Sequence, residues 1–372
     1  MGRSVLPLGR ILGIPIGLDY SWFLIFVLLT WTFAVSYYPS DVPGLAPVVY
    51  WILGAATAIC LFASVLLHEL GHSAVARRYQ IPVRGITLFV FGGVSQIAAE
   101  PPSAGAEFWI AIAGPAVSAA LAGVLTVLEP VLGGNVVLLA LTRYLASMNG
   151  LLALFNLLPG FPLDGGRIFR AVVWGVTHRL RQATMVAANV GRGIAFLFIV
   201  LGVWQMLSGQ LGNGLWTAFI GWFLENAAVA QVQQLVVHDL LAGHKVAEVM
   251  AREYGAIPPD ITLQQLVDGH ILTKGQRSFP VMRGDTFLGL VTMHRIRQVP
   301  QAEWPVTPVD RVMIPLADVR RVSPDDDLST ALDAMTHEGV NQLPVMDHGR
   351  IVGILSRDRV LSLLRTIREL GV

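Results

Sequence analysis

The sequence predicts an α-helical polytopic membrane domain, with six transmembrane helices and a short β-element, followed by a tandem α/β domain. Three observations carry this reading. Of 372 residues, 54% are hydrophobic and only 14% charged, whereas soluble domains carry about 25% charged residues. The charges are also uneven: residues 1 to about 235 hold few, and those from about 240 onward have ordinary polarity. Finally, the second part repeats. Phe279-Pro280-Val281-Met282 and Leu288-Gly289-Leu290-Val291-Thr292 recur sixty-four positions on as Leu343-Pro344-Val345-Met346 and Val352-Gly353-Ile354-Leu355-Ser356. Two copies of a small unit can bury a face that neither could bury alone. The expected boundaries are 1–235 for the membrane domain and 244–300 and 306–368 for the two α/β units.

The first seventeen residues carry Arg3 and Arg10 and lack a small-residue cleavage site, so they are not a cleaved signal. The first span is expected over 18–38, long enough for about 30 Å of hydrocarbon. Trp22, Trp31, Tyr37 and Tyr38 are its interface markers, and Pro39, Pro43, Gly44 and Pro47 follow it. The second span, 48–79, closes on Arg77-Arg78. Residues 86–97 are β-branched and aromatic and are interrupted by Gly92-Gly93, which reads as one or two strands with a kink or turn. Four more spans are expected over 106–128, 136–158, 190–207 and 215–232. Gly114-Pro115, in the third, suits close helix packing.

Six spans put both termini on one side. The loops at 39–47, 129–135 and 208–214 contain no Lys or Arg. The opposite loops contain Arg77, Arg78, Arg84, Arg167, Arg170, Arg179 and Arg181. The positive-inside rule then places the termini and the tandem domain in the cytoplasm, with the chain in the cell membrane. Arg143, inside the fourth span, is expected to snorkel toward the outer interface. Cys60 is the single cysteine, which leaves no disulfide framework and suits packing. A net charge of +1 without a basic cluster gives no reason to expect nucleic acid.

The chemistry is concentrated in Leu66-Leu67-His68-Glu69-Leu70-Gly71-His72. His68 and His72 are four apart, so both imidazoles leave one face of a helix, and that spacing suits two corners of a tetrahedral zinc site. Glu69 can reach a metal-bound water without ligating the metal. Three ionisable groups at membrane depth are costly unless a partner is found. A catalytic zinc needs a third protein ligand and an open position. Asp164 is the best candidate, lying between Pro162 and Gly165-Gly166 where an apolar helix stops; the alternative is an N-cap for the helix that follows.

Together with Asn156-Leu157-Leu158-Pro159-Gly160-Phe161-Pro162-Leu163-Asp164-Gly165-Gly166, this motif resembles the site-2 protease family of intramembrane zinc metalloproteases. The paired tail units resemble cystathionine-β-synthase (CBS) modules. The resemblance implies one zinc per chain held by His68, His72 and Asp164, with Glu69 as general base. It implies that Asn156 helps hold the developing oxyanion, the alternative being a helix cap. The stretch 88–94, with Phe91, Gly92 and Gly93, is similar to the family's membrane-associated β-element, whose edge can catch an unwound substrate; a strand that only packs is the alternative. Asn149, two turns before Asn156 on about the same face, is a candidate for substrate or helix contact.

CBS pairs commonly bind adenine nucleotides, which points to Thr292, Ser356 and Asp358. The family's ribose-contacting acid lies three residues after the Thr or Ser, and here those places hold Arg295 and Arg359. Either arginine could meet a phosphate, or the pair could serve dimerisation without a ligand. The implied partners are a transmembrane substrate, the lipid bilayer and a second copy through the CBS modules, with the CBS pair as regulator. A transporter gated by its CBS pair is the competing class, but it needs polar groups on several helices lining a path, and spans one, five and six carry almost none. An inactive binding scaffold is the other, against which stands the intact Glu69.

Overall fold

The structure is a computed structural model that describes residues 5–97, 99–272 and 278–370; Arg3 lies outside them. The chain divides into two units, Gly2–Leu235 and Val236–Val372, taken in turn. The first unit begins with strands β1 (Val5–Ile11) and β2 (Ile14–Asp19), an antiparallel hairpin. β3 (Val83–Phe89) joins β2 in parallel and pairs antiparallel with β4 (Gly92–Ile97), giving the order β1-β2-β3-β4. Stretch 86–97 is thus a hairpin, and Gly92 at φ +126° makes its turn where only glycine is unstrained. The first two strands correct the expectation that the first span starts at residue 18. Ile14, Ile16 and Leu18 alternate inward, the period of a strand, and Ile14 and Ile16 pack with Ile86, Leu66 and Leu70.

Among the described residues, five helices are long and apolar enough to cross a membrane: α1 (Ser21–Asp41), α2 (Pro47–Arg78), α3 (Ala104–Leu132), α4 (Val136–Asn156) and α6 (Leu180–Leu207). Between the last two lies the short amphipathic α5 (Asp164–Thr177). The sixth expected span falls inside α7 (Leu211–Leu241), which does not join those five, because Glu225, Asn226 and Gln231 dilute its apolar character. Small residues let the helices approach. A Cβ on Gly71 of α2 would stand 2.9 Å from the Ala113 carbonyl oxygen of α3. Gly202 of α6 likewise meets Ala218 of α7, and Gly221 of α7 meets Ala195 of α6. Arg143 Nε donates to Glu129, near the C-terminal end of α3, at 3.1 Å. Arg192 on α6 pairs with Glu225 on α7 at 2.8 Å.

In the second unit the repeat is visible in the hydrogen bonding. β5 (Ser278–Arg283) pairs with β6 (Thr286–Thr292), and β8 (Gln342–Asp347) with β9 (Arg350–Ser356); β7 (Ile314–Pro315) lies between them in sequence. Both hairpins share one register: Ser278 faces Thr292 as Gln342 faces Ser356, and each has a shift at Val281/Met282 or Val345/Met346. The copies also exchange their leading segments. Ile314, ahead of the second hairpin, bridges Leu290 of the first, and Ala251, ahead of the first, bridges Ile354 of the second. Gly289 and Gly353 allow this, since a Cβ on either would press on the crossing carbonyl of Ile314 or Ala251. Val309 accordingly packs with Phe279 and Val291, while Val246 and Val249 pack with Leu343 and Leu355.

Candidate metal centre

His68 and His72 are one turn apart on α2, each only 4% exposed. Asp164 is the first residue of α5; its N-cap position is taken by Leu163, and its carboxylate turns inward instead. Nε2 of His68 and Nε2 of His72 each lie 3.1 Å from the same Asp164 Oδ2. The three offer ligand atoms within 4.8 Å of one another.

The surroundings of the two rings show what the cluster is suited to hold. His72 Nδ1 donates to the Ile110 carbonyl of α3 at 2.7 Å, so its neutral tautomer keeps the lone pair on Nε2. That lone pair then faces a carboxylate oxygen, and two acceptors at hydrogen-bond distance need a positive charge between them. His68 Nδ1 and the Ser118 hydroxyl of α3 share a hydrogen bond of 2.9 Å. Such partners on the far nitrogen orient metal-ligating histidines. Gly114 lies between Ile110 and Ser118 on α3, and a Cβ built there would fall onto Nε2 of both histidines. The missing side chain therefore leaves space at the ligand atoms, more than the helix packing expected from sequence. Two imidazoles, one carboxylate and an open side fit the donor set of a catalytic zinc.

Sequence profiles of two families match the chain: peptidase family M50 over residues 56–139 and 133–200, and the CBS domain over 246–301 and 309–366. "Putative zinc metalloprotease Rip3" of Mycobacterium tuberculosis is 36% identical over 98% of this chain and 94% of its own. The chain belongs to peptidase family M50. "Putative zinc metalloprotease sll0528" of Synechocystis is 33% identical over 96% of this chain and 95% of its own. Among solved structures, the site-2 protease from Methanocaldococcus jannaschii is 30% identical, covering 61% of this chain and 95% of that one with a TM-score of 0.42. As an M50 peptidase with paired CBS domains, the protein is a zinc metalloprotease and a multi-pass membrane protein.

The other residues of this M50 peptidase fall in three places. Glu69 lies on α2 beside the ligand face, against β4: a Cβ on Gly93 of that strand would press on its Cγ, and the Ser73 and Ser95 hydroxyls are 2.8 Å apart. Residues 64, 68 and 72 thus form one stripe of α2 and residues 65, 69 and 73 the next, the second covered by the strand. β4 is an edge strand of its sheet, as β1 is at the other side, and the Phe91 ring at the hairpin tip lies 5.2 Å from the Phe223 ring of α7. Asn149 is buried, with Nδ2 donating to Ser64 Oγ at 3.1 Å and to the Leu145 carbonyl at 2.8 Å. Asn156 is not part of the ligand cluster; its Nδ2 donates to the Leu152 carbonyl at 3.0 Å. In the second unit the Thr292 and Ser356 hydroxyls accept from the backbone N–H of Arg295 and Arg359, so both cap the helices that follow, and Asp358 lies in the first turn of the second of these.

Ser118 and Glu107 escaped the sequence reading. Glu107, fully buried on α3, pairs with Arg170 of α5. The available signal was the one that singled out His68: a polar side chain inside an apolar helix needs a partner.

Proposed function

We propose that the protein is an intramembrane zinc endopeptidase that cuts transmembrane segments, and that its CBS pair regulates access to the site. The convergence of His68, His72 and Asp164 on one point, with Glu69 on the adjoining stripe of α2, carries the reading. Zinc held by those three residues supplies a charge that polarises a peptide carbonyl and acidifies a water. Glu69 takes a proton from the attacking water as its oxygen bonds to the carbonyl carbon. It returns that proton to the amide nitrogen as the C–N bond breaks, leaving a carboxylic acid and an amine. Asn156 uses an amide proton on Leu152 and keeps a second donor for the carbonyl oxygen as it becomes negative, which requires a turn of its side chain.

The unwound segment of the substrate pairs with the free edge of β4, which passes Glu69 and lies beside Phe91, Gly92 and Gly93. Asn149, buried one helix away beside Ser64, serves the contact between α2 and α4. Arginine-bearing loops on one side support cytoplasmic termini, with α7 as the sixth crossing. Helix α7 is continuous from Leu211 to Leu241. Leu224 and Ala228 are buried in the first unit, where Ala228 packs with Phe161, and Leu241 is buried in the core of the second. The CBS pair would respond to an adenine nucleotide or to pairing with a second copy.

Zinc per chain and cleavage of a membrane-anchored reporter, measured in detergent-solubilised protein, test the reading. Glu69→Gln should keep one zinc and lose cleavage, and Asp164→Ala should lose both. Cleavage that persists in Glu69→Gln would refute the assigned base. Regulation is tested separately: adenine nucleotides should alter the cleavage rate of the full chain, and the same rate across all of them would leave nucleotide control without support.

A further inference from the structure

Glu107 is a fully buried carboxylate that neither the ligand set nor the proposed base uses. A buried ion is tolerated only where a counter-charge meets it with good geometry. Its partner is Arg170, whose Nε donates to Oε1 at 2.6 Å and whose Nη2 lies closer still. The second oxygen, Oε2, is buried and has no hydrogen-bond partner among the described residues. An ion pair kept at that cost, with one oxygen unmet, calls for a purpose beyond joining two helices.

Its placement supplies one. Arg170 lies six residues after Asp164 on α5, about 9 Å along the helix axis. Its guanidinium also sits 5.4 Å over the ring of Phe161, three residues before Asp164. Arg170 therefore grips the chain on both sides of the carboxylate ligand. Glu107 in turn lies on α3, the helix whose Ile110 carbonyl holds His72 and whose Ser118 holds His68. The start of α5 is crowded, because a Cβ on Gly165 or Gly166 would collide with the backbone of Leu157-Leu158 or Gly160-Phe161. With its first turn wedged and its second tied to α3, α5 has little freedom to rotate.

We propose that the Glu107–Arg170 pair is a positioning pair for the Asp164 arm. By this reading α3, which supplies no ligand, is the common template that holds all three ligands in register. The inference rests on the metal-centre reading above. The pair acts through Asp164 and touches neither metal nor substrate.

Zinc affinity of the full-length protein, measured in detergent micelles by competition with a chelator, tests this, together with the visible spectrum of the cobalt(II)-loaded protein. Arg170→Lys keeps the charge but loses the paired donors and the flat ring contact. It should weaken zinc binding about 10- to 100-fold, the range seen when groups behind metal ligands are lost, and should diminish the cobalt bands of a tetrahedral site. Glu107→Gln should do the same. Arg192→Lys, which disturbs the Arg192–Glu225 pair between α6 and α7, is the control and should leave both readouts unchanged. Wild-type zinc affinity and an unaltered cobalt spectrum in Arg170→Lys would overturn the proposal, since a pair that only joins helices would change thermal stability alone. If Glu107→Gln does not fold, Arg170→Lys decides. A wild-type chain that takes up no zinc removes the metal-centre reading and this inference with it.

Discussion

Gly93 on β4 faces Glu69 on α2 so closely that a Cβ built on the glycine would stand 2.7 Å from Cγ of the glutamate. Leu88 Cδ2 and Val65 Cγ1, each 3.3 Å from the same point, close the remaining directions. The glycine thus sets how near the strand edge comes to the proposed base. Gly93→Ala must displace either Glu69 or β4. We expect zinc content to stay at the wild-type level and cleavage to fall about tenfold or more, since misplacing a reacting group by about 1 Å can cost about a hundredfold. Zinc stoichiometry and cleavage rate on the same preparation separate the two effects; loss of zinc would show that the strand supports the ligands instead.

Gly114 makes the opposite prediction. A methyl group there would occupy the space at Nε2 of His68 and His72. Gly114→Ala should therefore lose the metal as well as activity. Elemental analysis of the purified variant checks this, and a full zinc equivalent would show that the histidines relax without cost.

Ser118→Ala removes the hydroxyl that orients His68 and leaves its Nδ1 without the 2.9 Å partner. Zinc affinity should fall about tenfold, the lower end for such orienting groups, with little change in fold. Ser118→Thr keeps the hydroxyl and should recover most of the loss in a chelator competition.

Removing the metal should destabilise the first unit. At a free zinc concentration a hundred times its dissociation constant, binding contributes about 2.7 kcal/mol. A chelator should lower the unfolding midpoint of the wild type, and added zinc should restore it. Asp164→Ala should show neither response. A zinc-dependent midpoint in that variant would mean the ion sits elsewhere.

Phe223 touches Phe91 from α7, a contact of the kind worth about 0.5–1.5 kcal/mol. Phe223→Ala should loosen the hairpin, seen as faster hydrogen exchange of the amides of β3 and β4. Unchanged protection there would show that the hairpin tip is held without α7.

The sequence by itself determined the membrane character, the paired histidines and the duplicated tail, because each is written in local pattern. Apolar length marks the spans, a spacing of four puts His68 and His72 on one face, and an offset of sixty-four exposes the repeat. Strand β2 was also legible as the alternation of Ile14, Ile16 and Leu18, but the apolar helix beside it masked that shorter period. Tertiary structure alone decided which distant groups meet. It brought Asp164 to both imidazoles across more than ninety residues, set Ser118 behind one ring and the Ile110 carbonyl behind the other, and placed Gly93 against Glu69. The same holds for the crossing of Ile314 and Ala251 between the tail copies. Such contacts follow from helix rotation and close approach, quantities that depend on all the packed neighbours at once and leave no periodic trace in the chain.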